Sequence, residues 1–369
     1  MTVDRISLDF FRSYVHGEAE FHPGVNVVAG ENAQGKTNLL EAVAYLSSAS
    51  SHRARYDREL IRRGTDHAFV KGDISARGRR LVLEADLHRG QRRQLRCNGV
   101  KLKTAGELCG LLRTVLFCPE DLYLIREGAE VRRRFLDSCI CQLRPRYAQA
   151  LAEYKRLYQH KTRILKDAGE HPALLDTLDD FSLRMAQCGA VIVHYRAHFI
   201  RRLRETAPEI HRDCSGGRET LALRYETVSS VTDPEAPPKA ILPQLLAHQE
   251  AHRRAEIESR SCLSGPHKDE LAVDIDGAAA KSYASQGQTR TAALALKLAA
   301  RDIFYQDGGE WPVLLLDDVL SELDLRRQEF VLNRITSGQV FITCCEEEKL
   351  ARLREGKAFR VKDGVLCPT

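Results

Sequence analysis

Val25-Asn26-Val27-Val28-Ala29-Gly30-Glu31-Asn32-Ala33-Gln34-Gly35-Lys36-Thr37 is the stretch on which the fold turns. Val25, Val27 and Val28 read as a short strand, and Gly30 to Thr37 matches GxxxxGK[ST]. Thr37 to Ser47 then places Leu39, Leu40, Val43, Ala44 and Leu46 at the spacing of a helix packed on a sheet. Strand, glycine-rich loop and helix are the order a phosphate cradle needs. The loop Gly30, Glu31, Asn32, Ala33, Gln34 and Gly35 can curl so that successive N–H groups and the helix N-terminus face an anion. Lys36 would then reach the β and γ oxygens of ATP, and Thr37 would ligate Mg²⁺. A chance match is the competing reading, and the two correct flanks count against it.

Working outward, Trp311-Pro312-Val313-Leu314-Leu315-Leu316-Asp317-Asp318 is an apolar run of strand length ending in two carboxylates. Asp317 is expected to hold the Mg²⁺ shell, and Asp318, with Lys36, to be catalytic by orienting a water at the γ-phosphate. The alternative is a strand that exits into solvent through polar residues.

Ser285-Gln286-Gly287-Gln288 precedes a helix-prone run to Arg301 and resembles the ABC-type signature. Ser285, Gly287 and Gln288 would bind the γ-phosphate held by a second chain, since one chain has no second phosphate to fill this turn. Equally, Ser285 is a common kind of helix cap, and that reading stays open. Val319-Leu320-Ser321-Glu322-Leu323-Asp324 resembles the D-loop of ABC-type dimers.

The bulk properties agree with an intracellular globular protein. At 369 residues the chain exceeds the roughly 250–300 at which single cores stop growing, so an insertion or a second domain is expected. Its 11 cysteines are odd in number and scattered in spacing, which reads as reduced thiols rather than a disulfide framework or a zinc site. No run is long and apolar enough for a membrane span, and Met1 to Phe11 lacks a signal-peptide core, so a cytoplasmic location is expected. Net charge is +5, yet residues 51–100 hold 13 Arg or Lys against 6 acids. A surface that meets a polyanion has this local excess, as does a merely solvated face.

Alternating residues over 67–100, with Asn98-Gly99 as a hairpin turn, predict a β lobe around 65–105. Glu130 to Glu209 reads as helical, with few breakers until Pro208 and the Cys214 to Gly217 loop, and Val228 to Pro243 as an exposed proline-rich connection before a helix from Leu245. The fold class is therefore α/β, a P-loop head over 1–125 and 262–369 interrupted by a helical arm over 126–261.

The motif order resembles the ABC-type heads of SMC-like DNA repair ATPases, and the details resemble the RecF family. Beyond the motifs above, the resemblance rests on Phe11-Arg12-Ser13-Tyr14, Pro119-Glu120-Asp121-Leu122, Arg133-Arg134-Phe135-Leu136-Asp137 and Gly265-Pro266-His267-Lys268-Asp269-Glu270. It spans nearly the whole chain. It implies an ATPase head with a short helical arm, ATP and Mg²⁺ as cofactors, an ATP-dependent homodimer and sequence-independent binding to duplex or gapped DNA. It also implies work with RecR, RecO and RecA in gap repair, replication restart and the SOS response. Arg12 is placed near the α-phosphate by the resemblance, with an ordinary surface arginine as its alternative.

The chain departs from transporter-type ABC proteins. Asp318 stands where they have Glu, the strand Gln339 to Thr343 is not followed by their histidine, and no Q-loop glutamine is evident, Glu120 or Asp121 being the substitutes. Slow hydrolysis used as a switch follows from these differences. His267 reads as a packing residue more readily than as a catalytic substitute. A transporter ATPase subunit is the main rival, disfavoured by the long insertion; a structural scaffold would need longer heptad runs.

Overall fold

The computed structural model describes residues 1–345 and 356–368. The chain forms two compact units, Met1–Tyr123 with Ala293–Thr369, and Leu124–Ala292.

The first unit opens with β1 (Thr2–Asp9), β2 (His16–Glu20), β3 (Val25–Ala29), helix α1 (Lys36–Ser48), β4 (His67–Ala76), β5 (Arg79–His88), β6 (Gln94–Cys97), β7 (Val100–Lys101), the one-turn α2 (Ala105–Leu108) and β8 (Thr114–Phe117). The second unit holds α3 (Ala129–Leu143), α4 (Pro145–Asp167), α5 (Leu178–Ser215), β9 (Leu221–Glu226), α6 (Pro238–Ser259), β10 (Glu270–Ile275), β11 (Ala278–Ala279) and α7 (Ala280–Tyr283). Helix α8 (Gln286–Gly308) leads back to the first unit, which ends with β12 (Val313–Leu316), α9 (Leu325–Arg334), β13 (Val340–Cys344), β14 (Gly356–Lys362) and β15 (Val365–Pro368). Among the described residues no helix is long and apolar enough to cross a membrane.

Two sheets organise the first unit. One has the order β15-β14-β3-β13-β12-β8, in which β14, β3, β13, β12 and β8 run parallel. All four residues of β12 are buried, which is why it reads as unbroken apolar sequence. The other, β2-β1-β4-β5-β6-β7, is antiparallel and buries alternate residues such as Leu83, Ala85 and Leu87. Its Asn98-Gly99 turn has positive φ at both positions, 51° and 77°, as a two-residue hairpin requires. Residues of α1 share one apolar cluster with β1, β4 and β5 and with Val313, Leu315 and Phe341 of the parallel sheet. Covered on both sides, α1 buries nine consecutive residues from Leu39 to Ser47, each large apolar one contributing about 1.5–3 kcal/mol.

In the second unit the helices differ from the sequence expectation at two places. Helix α5 runs through Pro208 and stops only at Ser215, where Gly216 adopts φ 70° and Gly217 N–H returns to Arg212 O. Leu203, Ala207, Ile210 and Cys214 are buried on both sides of the proline, so packing outweighs its missing hydrogen bond. Residues 228–243 are not an exposed connection either. Val228, Val231 and Ile241 pack on Ala186, Ala190 and Val193 of α5, and α6 begins at Pro238, a favourable first-turn position for proline. The strand expected from Leu271 is present as β10, but it pairs antiparallel with β9 in a small sheet of this unit.

Two stretches that carried the family resemblance meet in this unit around buried Arg196. Its guanidinium bridges Asp137 and Asp269, each at 2.8 Å, and Thr227 also donates to Asp269 at 2.7 Å. Burial still pushes the Asp269 carboxyl up against these partners. His267 lies between Tyr154 Oη at 2.7 Å and the Cys262 carbonyl at 3.0 Å, with Tyr158 4.7 Å from its ring. Burial lowers its pKa to about 4. Both ring nitrogens are engaged, which is the packing role.

Candidate nucleotide site

Parallel strands bring the loops that follow β3, β8, β12 and β13 to the same carboxyl edge of the sheet, the usual place for a ligand in an α/β fold. The Gly30–Thr37 loop occupies this edge. Gly35 has φ 121°, and a Cβ there would meet Ser13 Oγ at 2.6 Å; a Cβ on Gly30 would meet the Val361 carbonyl at 2.5 Å. Only glycine fits these two positions.

Lys36 is 3% exposed and turned inward, its ammonium donating to the Gly30 carbonyl at 2.7 Å and the Glu31 carbonyl at 3.2 Å. It therefore lies inside the curl of the loop, where a terminal phosphate would replace weak carbonyl partners with charged oxygens. Thr37 Oγ1 donates to Asp317 Oδ1 at 2.9 Å, and Thr343 Oγ1 donates to the same oxygen at 2.9 Å. Burial pushes the Asp317 carboxyl up, opposed by those two hydrogen bonds. A buried carboxylate beside a hydroxyl is a donor set that fits Mg²⁺ once phosphate oxygens and water complete its shell. Asp318 follows with φ 50°, uncommon for a residue with a side chain.

The loop is braced from outside. Tyr14 donates to the Gly35 carbonyl at 3.0 Å, and Asn38 Nδ2 to Ser13 Oγ at 2.9 Å. The Asp363-Gly364 turn holds Gln34, with Asp363 N–H on its side-chain oxygen at 2.5 Å and Gly364 N–H on its carbonyl at 3.1 Å. Cys345 donates to Asn32 Oδ1 at 3.2 Å and lies 3.6 Å from Lys36 Nζ. Glu31, Asn32 and Ala33 are exposed.

Arg12 is bound on this side of the fold to a residue that sequence reasoning missed. Its guanidinium makes a two-pronged pair with Glu41 at 2.9 and 2.7 Å and reaches the Glu59 carbonyl at 3.0 Å. Glu41 is fully buried; burial raises its pKa, but hydrogen bonds from Arg12 and Ser51 hold it below the ordinary value. A lone acid on the otherwise apolar run of α1 was the available signal. Of the two substitutes for the Q-loop, Asp121 is paired with Lys297 at 2.7 Å, and Glu120 is exposed.

Ser285 does cap α8. Its Oγ accepts Gln288 N–H at 3.2 Å while Gln288 Oε1 accepts Ser285 N–H at 2.9 Å, a reciprocal capping box. The cap uses a lone pair, leaving the hydroxyl proton to donate. Ser285 is exposed and Gly287 half-buried; both belong to the second unit, the lysine loop to the first. In the D-loop-like stretch, Ser321 Oγ donates to the Asp318 carbonyl at 2.6 Å, and Asp324 accepts Arg327 N–H at 2.9 Å to cap α9.

Residues 2–365 match the model of the RecF/RecN/SMC N terminal domain. The DNA replication and repair protein RecF of Acetivibrio thermocellus is 38% identical over 349 residues, 94% of each chain. The chain belongs to the RecF family. The RecF protein of Bacillus subtilis is 37% identical over 99% of this chain and all of its own length. A solved structure described as the recombination mediator protein RecF-ATPrS in the RecFOR pathway superposes with TM-score 0.91 at 33% identity, covering 100% of this chain and 98% of that one. The Smc head domain of Pyrococcus furiosus shares the fold at TM-score 0.57 and 16% identity. The architecture is thus an ABC-type ATPase head with a β-rich antiparallel sheet and a helical insertion, as the RecF resemblance implied.

Proposed function

We infer that this chain binds ATP and Mg²⁺, dimerises on ATP, and binds DNA without sequence preference in recombinational gap repair. The observation that carries the reading is Lys36 held inside the Gly30–Gly35 curl with the Thr37–Asp317 pair beside it. Lys36 would bind the terminal phosphates, Thr37 and Asp317 would hold Mg²⁺, and Asp318 would orient the attacking water and take its proton. Mg²⁺ held by Thr37 and Asp317 would supply neutralisation of phosphate charge.

Ser285, Gly287 and Gln288 of a second chain would close over the γ-phosphate, making ATP the link between protomers. The capping box supports this use, because it presents the Ser285 hydroxyl at an exposed helix N-terminus. Arg12 would approach the α-phosphate after loosening from Glu41. Of the basic residues from Arg53 to Arg96, Arg53, Arg55, Arg58, Arg63, Arg77, Arg79, Arg80, Arg89 and Arg92 are exposed. These provide phosphate contacts that carry no sequence information.

By the same family reading, the protein works in the cytoplasm with RecR, RecO and RecA, supports replication restart and the SOS response, and is a weak, DNA-stimulated ATPase. Head and arm would be residues 1–125 with 262–369, and 126–261. Light scattering with ATP, ADP or no nucleotide, each with and without gapped DNA, tests the core of this reading. A dimer only with ATP, enhanced by DNA, is expected; a nucleotide-indifferent monomer would falsify it.

A further inference from the structure

We propose that Thr343 is a positioning residue for ATP hydrolysis, setting Asp318 in place and tying it to the cation-binding Asp317. This rests on the ATP-hydrolysing reading above. Thr343 lies in β13, two residues before Cys345, and is 2% exposed. One hydroxyl serves both acids. Its O–H donates to Asp317 Oδ1 at 2.9 Å, and its oxygen accepts the Asp318 N–H at 2.7 Å.

The second bond matters because of the backbone it holds. Asp318 has φ 50°, in the left-handed region that residues with a side chain adopt less often, so bonds that hold its amide and carbonyl help to keep it there. Thr343 fixes the amide of Asp318, while Ser321 Oγ fixes its carbonyl at 2.6 Å. The Asp318 backbone is thereby held on both sides, by Thr343 from β13 and by Ser321 from its own loop, and that limits where the carboxylate can swing. Because the same hydroxyl contacts Asp317, any change at the cation-binding carboxylate reaches the Asp318 backbone through one atom. In the reaction, a water oxygen bonds to the terminal phosphorus as the bridging P–O bond breaks. ADP leaves, and the water proton passes to Asp318. Thr343 touches none of these atoms and acts only through placement.

Thr343→Val keeps the branched shape but leaves the Asp318 N–H without its acceptor; Thr343→Ser keeps the hydroxyl. Three measurements on the full chain separate the roles: binding of a fluorescent ATP analogue, Mn²⁺ affinity with a non-hydrolysable ATP analogue, and single-turnover hydrolysis on gapped DNA. For Thr343→Val we expect nucleotide affinity within about threefold of wild type, weaker Mn²⁺ binding, and hydrolysis slowed about tenfold or more. Thr343→Ser should recover hydrolysis to within about threefold. Hydrolysis by Thr343→Val at the wild-type rate overturns the proposal. So does equal loss of nucleotide binding and hydrolysis in both variants, which marks a purely structural residue. Absence of hydrolysis in the wild type is seen before any variant is compared, and it removes the underlying reading instead.

Discussion

Thr37 and Asp317, 280 positions apart in the chain, meet hydroxyl to carboxylate at 2.9 Å. Thr37 lies in the first turn of α1 and Asp317 directly follows β12, far apart along the chain. The contact arises because β3, β13 and β12 are parallel neighbours, so their following loops open on one edge.

Lys36→Ala should abolish useful ATP binding. Hydrogen bonds from a charged group are worth about 1.5–3 kcal/mol, so the dissociation constant of a fluorescent ATP analogue should rise at least about tenfold. Circular dichroism should show an intact fold, because among the described residues Lys36 bonds to its own loop and to Cys345.

Two substitutions at Ser285 separate capping from dimer contact. Ser285→Ala removes the Oγ acceptor for Gln288 N–H and should cost about 1 kcal/mol of stability. Ser285→Arg should leave ATP binding intact and block ATP-dependent dimerisation in light scattering. Normal dimerisation of Ser285→Arg with ATP defeats the two-chain site.

Asp318→Asn should bind ATP normally, hydrolyse it about 100-fold more slowly and accumulate the ATP dimer. Phosphate release and gel filtration measure the two effects. Fast hydrolysis by this variant would remove Asp318 from the chemistry.

Replacing Arg77, Arg79 and Arg80 together by Ala should weaken DNA binding equally across sequences. For every DNA phosphate that is no longer neutralised, the slope of log affinity against log salt should become shallower by about 0.9. An unchanged slope would place the DNA surface elsewhere.

Acid should destabilise the second unit through His267. The ring is neutral in the fold with a pKa of about 4, below its ordinary value of 6.5. Between these values the unfolded chain binds a proton that the folded one does not, so stability falls as pH drops from 6.5 towards 4. The loss is at most about 3.4 kcal/mol. Burial lowers His198 and His248 too, in the same direction. Urea midpoints between pH 7 and pH 4.5 measure the slope, and His267→Gln should flatten it.

The sequence by itself determined the phosphate loop, the acidic strand end, the hairpin at Asn98-Gly99 and the family, because each is written in contiguous residues whose type and spacing carry the physics. Glycines at 30 and 35, Lys36 and Thr37 need no distant partner to be recognised. Tertiary structure alone decided what lies across gaps in the chain. It paired Arg12 with Glu41, joined Thr343 to both acids, clasped Gln34 with the Asp363-Gly364 turn and centred the second unit on Arg196. It also overrode two local signals, carrying α5 through Pro208 and folding residues 228–243 onto α5. A proline's cost is local, about 3 kcal/mol in a helix interior, whereas burial of a long apolar face is collective and larger, and no short window of sequence records that sum.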